Sequence, residues 1–217
     1  MHTFFHGWRR KAGVIVIGAA LVVMVYGAIR VYSTYQLEQR IGQRIESHGG
    51  HVGFRDCGPD WILEETQFFD RIDWVVLSDR AIPANLQLLD VGCLTNLESL
   101  ELRSTGVTDA GLKHLKGLMS LKDLNLSYTQ VTNAGIMSLQ VVENLRTLGL
   151  NGTQITDDGL QILEGSMRLE ELFLNDTQIT NAGLGHLKHL TQLKVLSVIS
   201  TQITDSGLEH LNNLKSL

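Results

Sequence analysis

The sequence predicts an α/β solenoid, with a curved parallel sheet on its concave face and short helices on its convex face, preceded by one transmembrane helix. Three observations point there. First, residues recur at a spacing of 24 over more than half of the chain: Thr105, Thr129, Thr153, Thr177 and Thr201; Gly111, Gly135, Gly159, Gly183 and Gly207; Leu97, Leu121, Leu145, Leu169 and Leu193. Second, the apolar spacing changes inside each unit. Leu100 and Leu102 are two apart, as in a strand with one buried face, whereas Leu112, Leu115 and Leu118 are three apart, as in a short helix or 3₁₀ segment. Third, a long uncharged apolar run precedes the repeats.

Residues 1–11 form a basic N-terminus carrying Arg9, Arg10 and Lys11. Ala12 to Ile29 contains 18 residues without a charge. As a helix this run is roughly 27 Å long, close to the ~30 Å hydrocarbon core. Residues 12–30 are therefore expected to span a membrane, with Arg30 snorkelling and Tyr26, Tyr32 and Tyr35 at the far interface. The positive-inside rule keeps the N-terminus cytoplasmic and exports the repeats. A cleaved signal peptide would have a shorter apolar run and small residues before the cut, where this chain has Tyr26. A buried core helix is the third reading.

Within residues 31–50, Leu37, Ile41 and Ile45 recur every four residues and predict a weakly amphipathic juxtamembrane helix, expected to act as a stalk. Residues 51–71, with Pro59, Trp61, Phe68 and Phe69, are expected to cap the solenoid. Residues 72–96 form a degenerate first repeat: Ile72, Val75, Leu77 and Ile82 precede their counterparts by 25 residues, and Leu88, Val91 and Leu94 by 24. Regular coils follow at 97–120, 121–144, 145–168, 169–192 and 193–216, together making a repeat region of 72–217 with no C-terminal cap. The last coil is expected to expose Leu193, Leu196, Val198, Ile203, Leu208 and Leu211 along an open edge. That edge implies either a truncated product or self-association through it.

The recurring polar positions have structural readings. Thr-(Asp/Asn) pairs such as Thr108-Asp109 and Thr132-Asn133 are expected to accept N–H groups at helix starts. The glycine two residues later is expected where adjacent coils approach so closely that a Cβ would clash. The Thr105 series is expected to bond the backbone of the neighbouring coil.

This pattern, L-x-x-L-x-L-x-x-T-x-(V/I)-T-(D/N)-x-G-(L/I) in each unit, resembles the leucine-rich repeat family over roughly Ile72 to Leu217, with threonine in place of the usual asparagine. The D-x-G-L helix start is similar to the 24-residue, ribonuclease-inhibitor-like branch found in many bacterial members. The resemblance implies a scaffold that binds other molecules, and leaves the partner unspecified.

The total charge is −5, of which residues 1–30 contribute +4, leaving −9 on the remainder. An acidic repeat region argues against a nucleic-acid partner. Two cysteines exclude a disulfide-dense scaffold and a four-cysteine zinc site, but a Cys57–Cys93 bridge would suit an exported domain. His114, His186 and His210 share a repeat position without carboxylates or thiols to complete a metal set. No nucleophile–base pair, paired carboxylate or phosphate loop is apparent, so no catalytic, cofactor or metal site is expected. The candidate protein-binding residues are Glu101, Arg103, Tyr128, Phe173, Val195 and Ile199, on or beside the concave face. The resulting expectation is a membrane-anchored, non-enzymatic scaffold for protein–protein interaction. The alternatives are a structural cell-envelope protein assembling through its last coil, or the front of a larger receptor or enzyme.

Overall fold

The computed structural model describes residues 33–47, 49–56, 70–77, 84–140 and 142–217. The expected membrane span at 12–30 and the cap residues Cys57, Pro59, Trp61, Phe68 and Phe69 lie outside them, as do Ile82 and Pro83. Among the described residues no helix is long and apolar enough to cross a membrane.

One sheet organises the described chain. Its strands are β1 (His51–Asp56), β2 (Asp70–Val76), β3 (Ser99–Glu101), β4 (Asp123–Asn125), β5 (Thr147–Gly149), β6 (Glu171–Phe173) and β7 (Val195–Ser197), arranged in sequence order. All pairings from β2 onward are parallel. Leu100, Leu124, Leu148, Leu172 and Leu196 lie directly opposite one another, which is the 24-residue period expressed as register. Val75 opposes Leu100, matching the 25-residue offset expected for the degenerate repeat.

From β3 onward each strand is three residues long, because only its central leucine faces the core before the chain must turn. The return path carries the helices α2 (Ala84–Val91), α3 (Asp109–Leu112), α4 (Asn133–Ile136), α5 (Asp157–Ile162), α6 (Asn181–Leu187) and α7 (Asp205–Leu208), preceded by helix α1 over 33–47. After α3, α4, α5 and α7 the chain tightens into 3₁₀ turns, the geometry predicted by apolar spacing of three. Leucines from strand, turn and helix of every coil merge into one continuous core.

Three local expectations need correction. Helix α1 is no stalk: Ile41 and Ile45 are buried in the solenoid core, and Glu38 Oε2 accepts the Ile72 N–H at 3.4 Å. Arg44 also pairs with Asp90 at 3.2 Å. The four-residue apolar stripe thus covers the open face of the first coil, where burial is worth more than exposure to water. Beside it, β1 adds antiparallel to β2, with a register shift at Gly53/Phe54, and occupies the edge that a solenoid would otherwise leave unpaired.

The ladder threonines do not bond the neighbouring coil. Thr105, Thr129, Thr153 and Thr177 each donate to the carbonyl three residues earlier, at 2.6 Å, and Thr201 does so at 2.7 Å. They brace the turn after each strand from within. The coil-to-coil role belongs to the Asp/Asn series, which was expected at helix starts. Asp109 Oδ1 accepts the Thr132 N–H (2.8 Å) and its Oδ2 accepts the Thr132 hydroxyl (2.7 Å). Asp157 does the same to Thr180.

Asn133 and Asn181 also bond the next coil's threonine N–H, but their amides donate to the hydroxyls of Thr156 and Thr204. Helix capping follows from this difference. A threonine that gives its proton to Asp keeps a lone pair for its own helix, so Thr132 accepts from Ala134 and Thr180 from Ala182. Thr156 and Thr204 receive a proton from asparagine and make no cap bond.

The repeated glycine lies where adjacent coils approach, against the Asp/Asn side chain of the preceding coil. A Cβ on Gly135 would lie 2.3 Å from Asp109 Oδ1, and one on Gly183 would lie 2.3 Å from Asp157 Oδ1. Glycine makes room for the clamp of the preceding coil.

The last coil is less exposed than expected. Leu193 is buried, and Leu196, Val198, Ile203 and Leu211 are partly buried against the core. Leu208 is the residue of that set that stands exposed. Cys93 is an exposed free thiol, its Sγ 3.7 Å from the Leu89 carbonyl oxygen.

Candidate functional site

The turn leaving each strand passes through the left-handed region at one repeated position: Ser104, Tyr128, Gly152, Asp176 and Ser200 have φ of 57–60°. For a residue with a Cβ this conformation costs roughly 1–2 kcal/mol. Glycine occupies only one of the five positions, and Tyr128 is the bulkiest occupant. Its aromatic ring packs over Gly152, where a Cβ would approach Tyr128 Cδ1 to 2.5 Å. On the ring sits Arg103, its guanidinium carbon 4.8 Å from the centroid, a cation–π arrangement. Arg103, Tyr128 and Gly152 form a stack that crosses three coils.

Beside this stack the concave face has a hollow of about 180 Å³. It lies over Gly149 in β5, and its walls include Glu101, Asp123, Asn125, Thr147 and Phe173. The position occupied by Gly149 carries Glu101, Asn125, Phe173 and Ser197 in the other strands, so one coil is recessed between larger neighbours. A Cβ at Gly149 would come within 2.5 Å of Asn125 Oδ1.

The wall is fixed by a polar ladder. Asn125 Nδ2 donates to Glu101 Oε2 at 2.9 Å, while its Oδ1 accepts the Ser127 N–H at 3.0 Å. The fully buried Ser127 Oγ accepts both the N–H and the side-chain amide of Asn151, each at 3.2 Å. Asn151 Oδ1 accepts the Asn175 N–H at 2.9 Å, and Asn175 Oδ1 accepts the Ile199 N–H and the Ser197 hydroxyl, both at 2.7 Å. Side chains held this way have little rotamer freedom left to lose on binding.

The predicted binding residues thus fall into three groups. Glu101 and Phe173 line the hollow, and Arg103 and Tyr128 form the stack at its rim. Val195 and Ile199 flank Ser197, the residue opposite Phe173, and extend an exposed apolar surface onto the sheet's outer strand β7. Sequence reasoning passed over Gly149 and Gly152. The available signal was the absence of a side chain at two columns filled in the other regular coils.

The opposite margin of the sheet, where the chain enters each strand, carries ion pairs between successive coils. Lys122 meets Glu98 at 2.8 Å; Glu170 receives Arg146 at 3.5 Å and Lys194 in a short charge-assisted bond. The Lys194 hydrogen bond holds the Glu170 carboxyl below the usual carboxylate range; slight desolvation opposes this, and the charges of Lys194 and Arg146 reinforce it. On the convex side His186 Nδ1 lies 2.6 Å from Glu164 Oε1. Among the described residues no group of three or more His, Cys, Asp or Glu residues is arranged to hold a metal ion.

The leucine-rich repeat family profile matches residues 93–116, 117–139 and 143–163. No curated protein sequence matches the chain. Among solved structures, an internalin (InlF) from Listeria monocytogenes superimposes with a TM-score of 0.53 at 28% identity, covering 59% of this chain and 36% of its own. The chain therefore spans about a third of that internalin. Internalin C2 from the same organism gives a TM-score of 0.46 at 21% identity, covering 71% of this chain and 85% of its own. The plant peptide hormone receptor RGFR1, in complex with RGF2, gives 0.40 at 19% identity, covering 58% and 21%. Residues 93–163 thus carry three consecutive matches to leucine-rich repeats, and the parallel sheet continues their 24-residue register from β3 to β7.

Proposed function

We propose that this protein is a membrane-tethered scaffold whose concave face captures a protein partner, centred on the recessed coil 145–168. The observation that carries this reading is the hollow over Gly149, flanked by Phe173 and by the Arg103–Tyr128 stack. Concave, preformed sites with aromatic anchors and a few oriented polar groups suit a projecting side chain. The carboxylates of Glu101 and Asp123 on the wall favour a basic one. Tyr128 strengthens the case, because a bulky residue kept in a strained backbone conformation calls for a reason beyond folding. The apolar run at 12–30 supports single-pass anchoring, with the N-terminus cytoplasmic and the repeats exported.

Photo-crosslinking in intact cells tests the capture surface. A crosslinker at Thr147 should yield hetero-adducts, and one at Lys188 on the convex side should not. Phe173→Asp should weaken capture roughly tenfold or more while leaving the thermal transition in place, because truncated interface anchors commonly cost 1–2 kcal/mol or above. Recovery of self-adducts alone would replace partner capture by assembly of like chains. Fractionation tests the tether: the full chain should remain with membranes through high salt and alkaline carbonate and be released by detergent. A soluble, shortened product would overturn the anchor.

A further inference from the structure

The coil-entry margin of the sheet, away from the concave face, contains a second hollow, of about 260 Å³. Lys122, Arg146 and Arg168 line it together with a single carboxylate, Glu98. That is a local excess of positive charge on a chain whose total is −5. From the geometry we infer that this hollow binds a phosphoryl anion.

The reasoning starts from the order of charges along the margin. Lys122 and Arg146 occupy equivalent positions in successive coils, and the Arg146 N–H bonds the Lys122 carbonyl at 2.7 Å. Two cations are therefore adjacent at the middle of the row, an arrangement that is unfavourable unless negative charge sits between them. Their carboxylate partners lie on the outer sides: Glu98 beyond Lys122 and Glu170 beyond Arg146. Glu98, though part of the wall, is paired with Lys122, and Glu170 is not among the lining residues.

Arg168 supplies the third cation. Among the described residues it has no carboxylate partner. One guanidinium N–H donates to Asn144 Oδ1, and Asn144 Nδ2 in turn donates to the Met119 carbonyl at 2.6 Å. A neutral amide thus orients the guanidinium without neutralising it, leaving its remaining N–H donors for a ligand. Arginine's planar fork matches the oxygen spacing of phosphate, and a lysine beside two arginines adds a mobile point charge. The chemistry fits a phosphoryl group, whether of a soluble phosphate or of a phospholipid headgroup. This site shares no side chain with the concave hollow, so it stands whether or not partner capture does.

Titration of the full chain in low salt with pyrophosphate, and separately with dihexanoylphosphatidylglycerol below its micelle concentration, tests the inference. Pyrophosphate binding should saturate, and Arg168→Gln should weaken it roughly tenfold, the usual scale for a lost charge-assisted bond. Lys188→Gln removes the same charge from the convex side and should change affinity by no more than about twofold, the effect of diffuse electrostatics. Tighter binding of the phosphatidylglycerol would identify a headgroup as the ligand; tighter binding of pyrophosphate would identify a soluble phosphate. If neither ligand saturates, or if Lys188→Gln weakens binding as much as Arg168→Gln, the site does not exist.

Discussion

Leu148→Ala is expected to lower the unfolding free energy by about 2–5 kcal/mol, the range for deleting a buried leucine side chain from a close-packed core. Leu148 is fully buried at the centre of β5, between Leu124 and Leu172. Its removal opens a void in contact with two neighbouring coils, and neither can close it without breaking the register of a parallel ladder. A solenoid passes stability only between neighbours, so weakening a middle coil also uncouples the two flanks. Denaturant unfolding should therefore show a lower midpoint and a broadened or split transition. Leu196→Ala, at the equivalent position in β7 but only partly buried, should cost less and leave the transition single. Equal losses at the two positions would show that the core is not continuous through β5.

Tyr128→Gly is expected to separate binding from stability. Glycine adopts the left-handed turn without penalty, which offsets the lost packing of the ring over Gly152 and the greater freedom of the unfolded chain. The variant should unfold within about 1 kcal/mol of the parent. Capture of the partner should nevertheless fall by roughly thirtyfold, the equivalent of one aromatic anchor worth about 2 kcal/mol. The loss includes Arg103, which would no longer be held over a ring at 4.8 Å. Unchanged capture would remove the rim from the binding site, and a large loss of stability would make Tyr128 a packing residue only. Measuring the thermal transition and affinity on the same preparation distinguishes these outcomes.

Much of the fold was legible because the repeat encodes register directly. Leucines 24 residues apart must stack if each coil is to bury its own apolar face, and Leu100, Leu124, Leu148 and Leu172 do so. Glycines such as Gly135 and Gly183 are legible as sites of close approach, because a poor helix former recurring in a helix needs a steric cause. The direction of side-chain hydrogen bonds was not legible. Thr105 and Asp109 are both polar residues near a turn, and composition alone does not tell which one reaches back within its coil and which one reaches forward.

The binding face was half visible for a related reason. Phe173, Arg103 and Tyr128 announce themselves as large side chains on a scaffold of leucines. A recess is made by what is missing, and Gly149 draws attention only when the facing columns are compared position by position. The role of α1 was also hidden. Leu37, Ile41 and Ile45 suit a free amphipathic helix and a docked one equally, and only the three-dimensional position of Ile72 and Leu77 distinguishes them.

The alternation of Asp109, Asn133, Asp157, Asn181 and Asp205 gives this solenoid two periods. Its letters and its backbone repeat with every coil. The polarity of its inter-coil hydrogen bonds reverses from one joint to the next and repeats only after two. In the language of lattices, the chain is a row with a two-site basis. Copying or deleting a single coil would preserve the shape and introduce a fault in that order, whereas adding or removing coils in pairs would leave no trace.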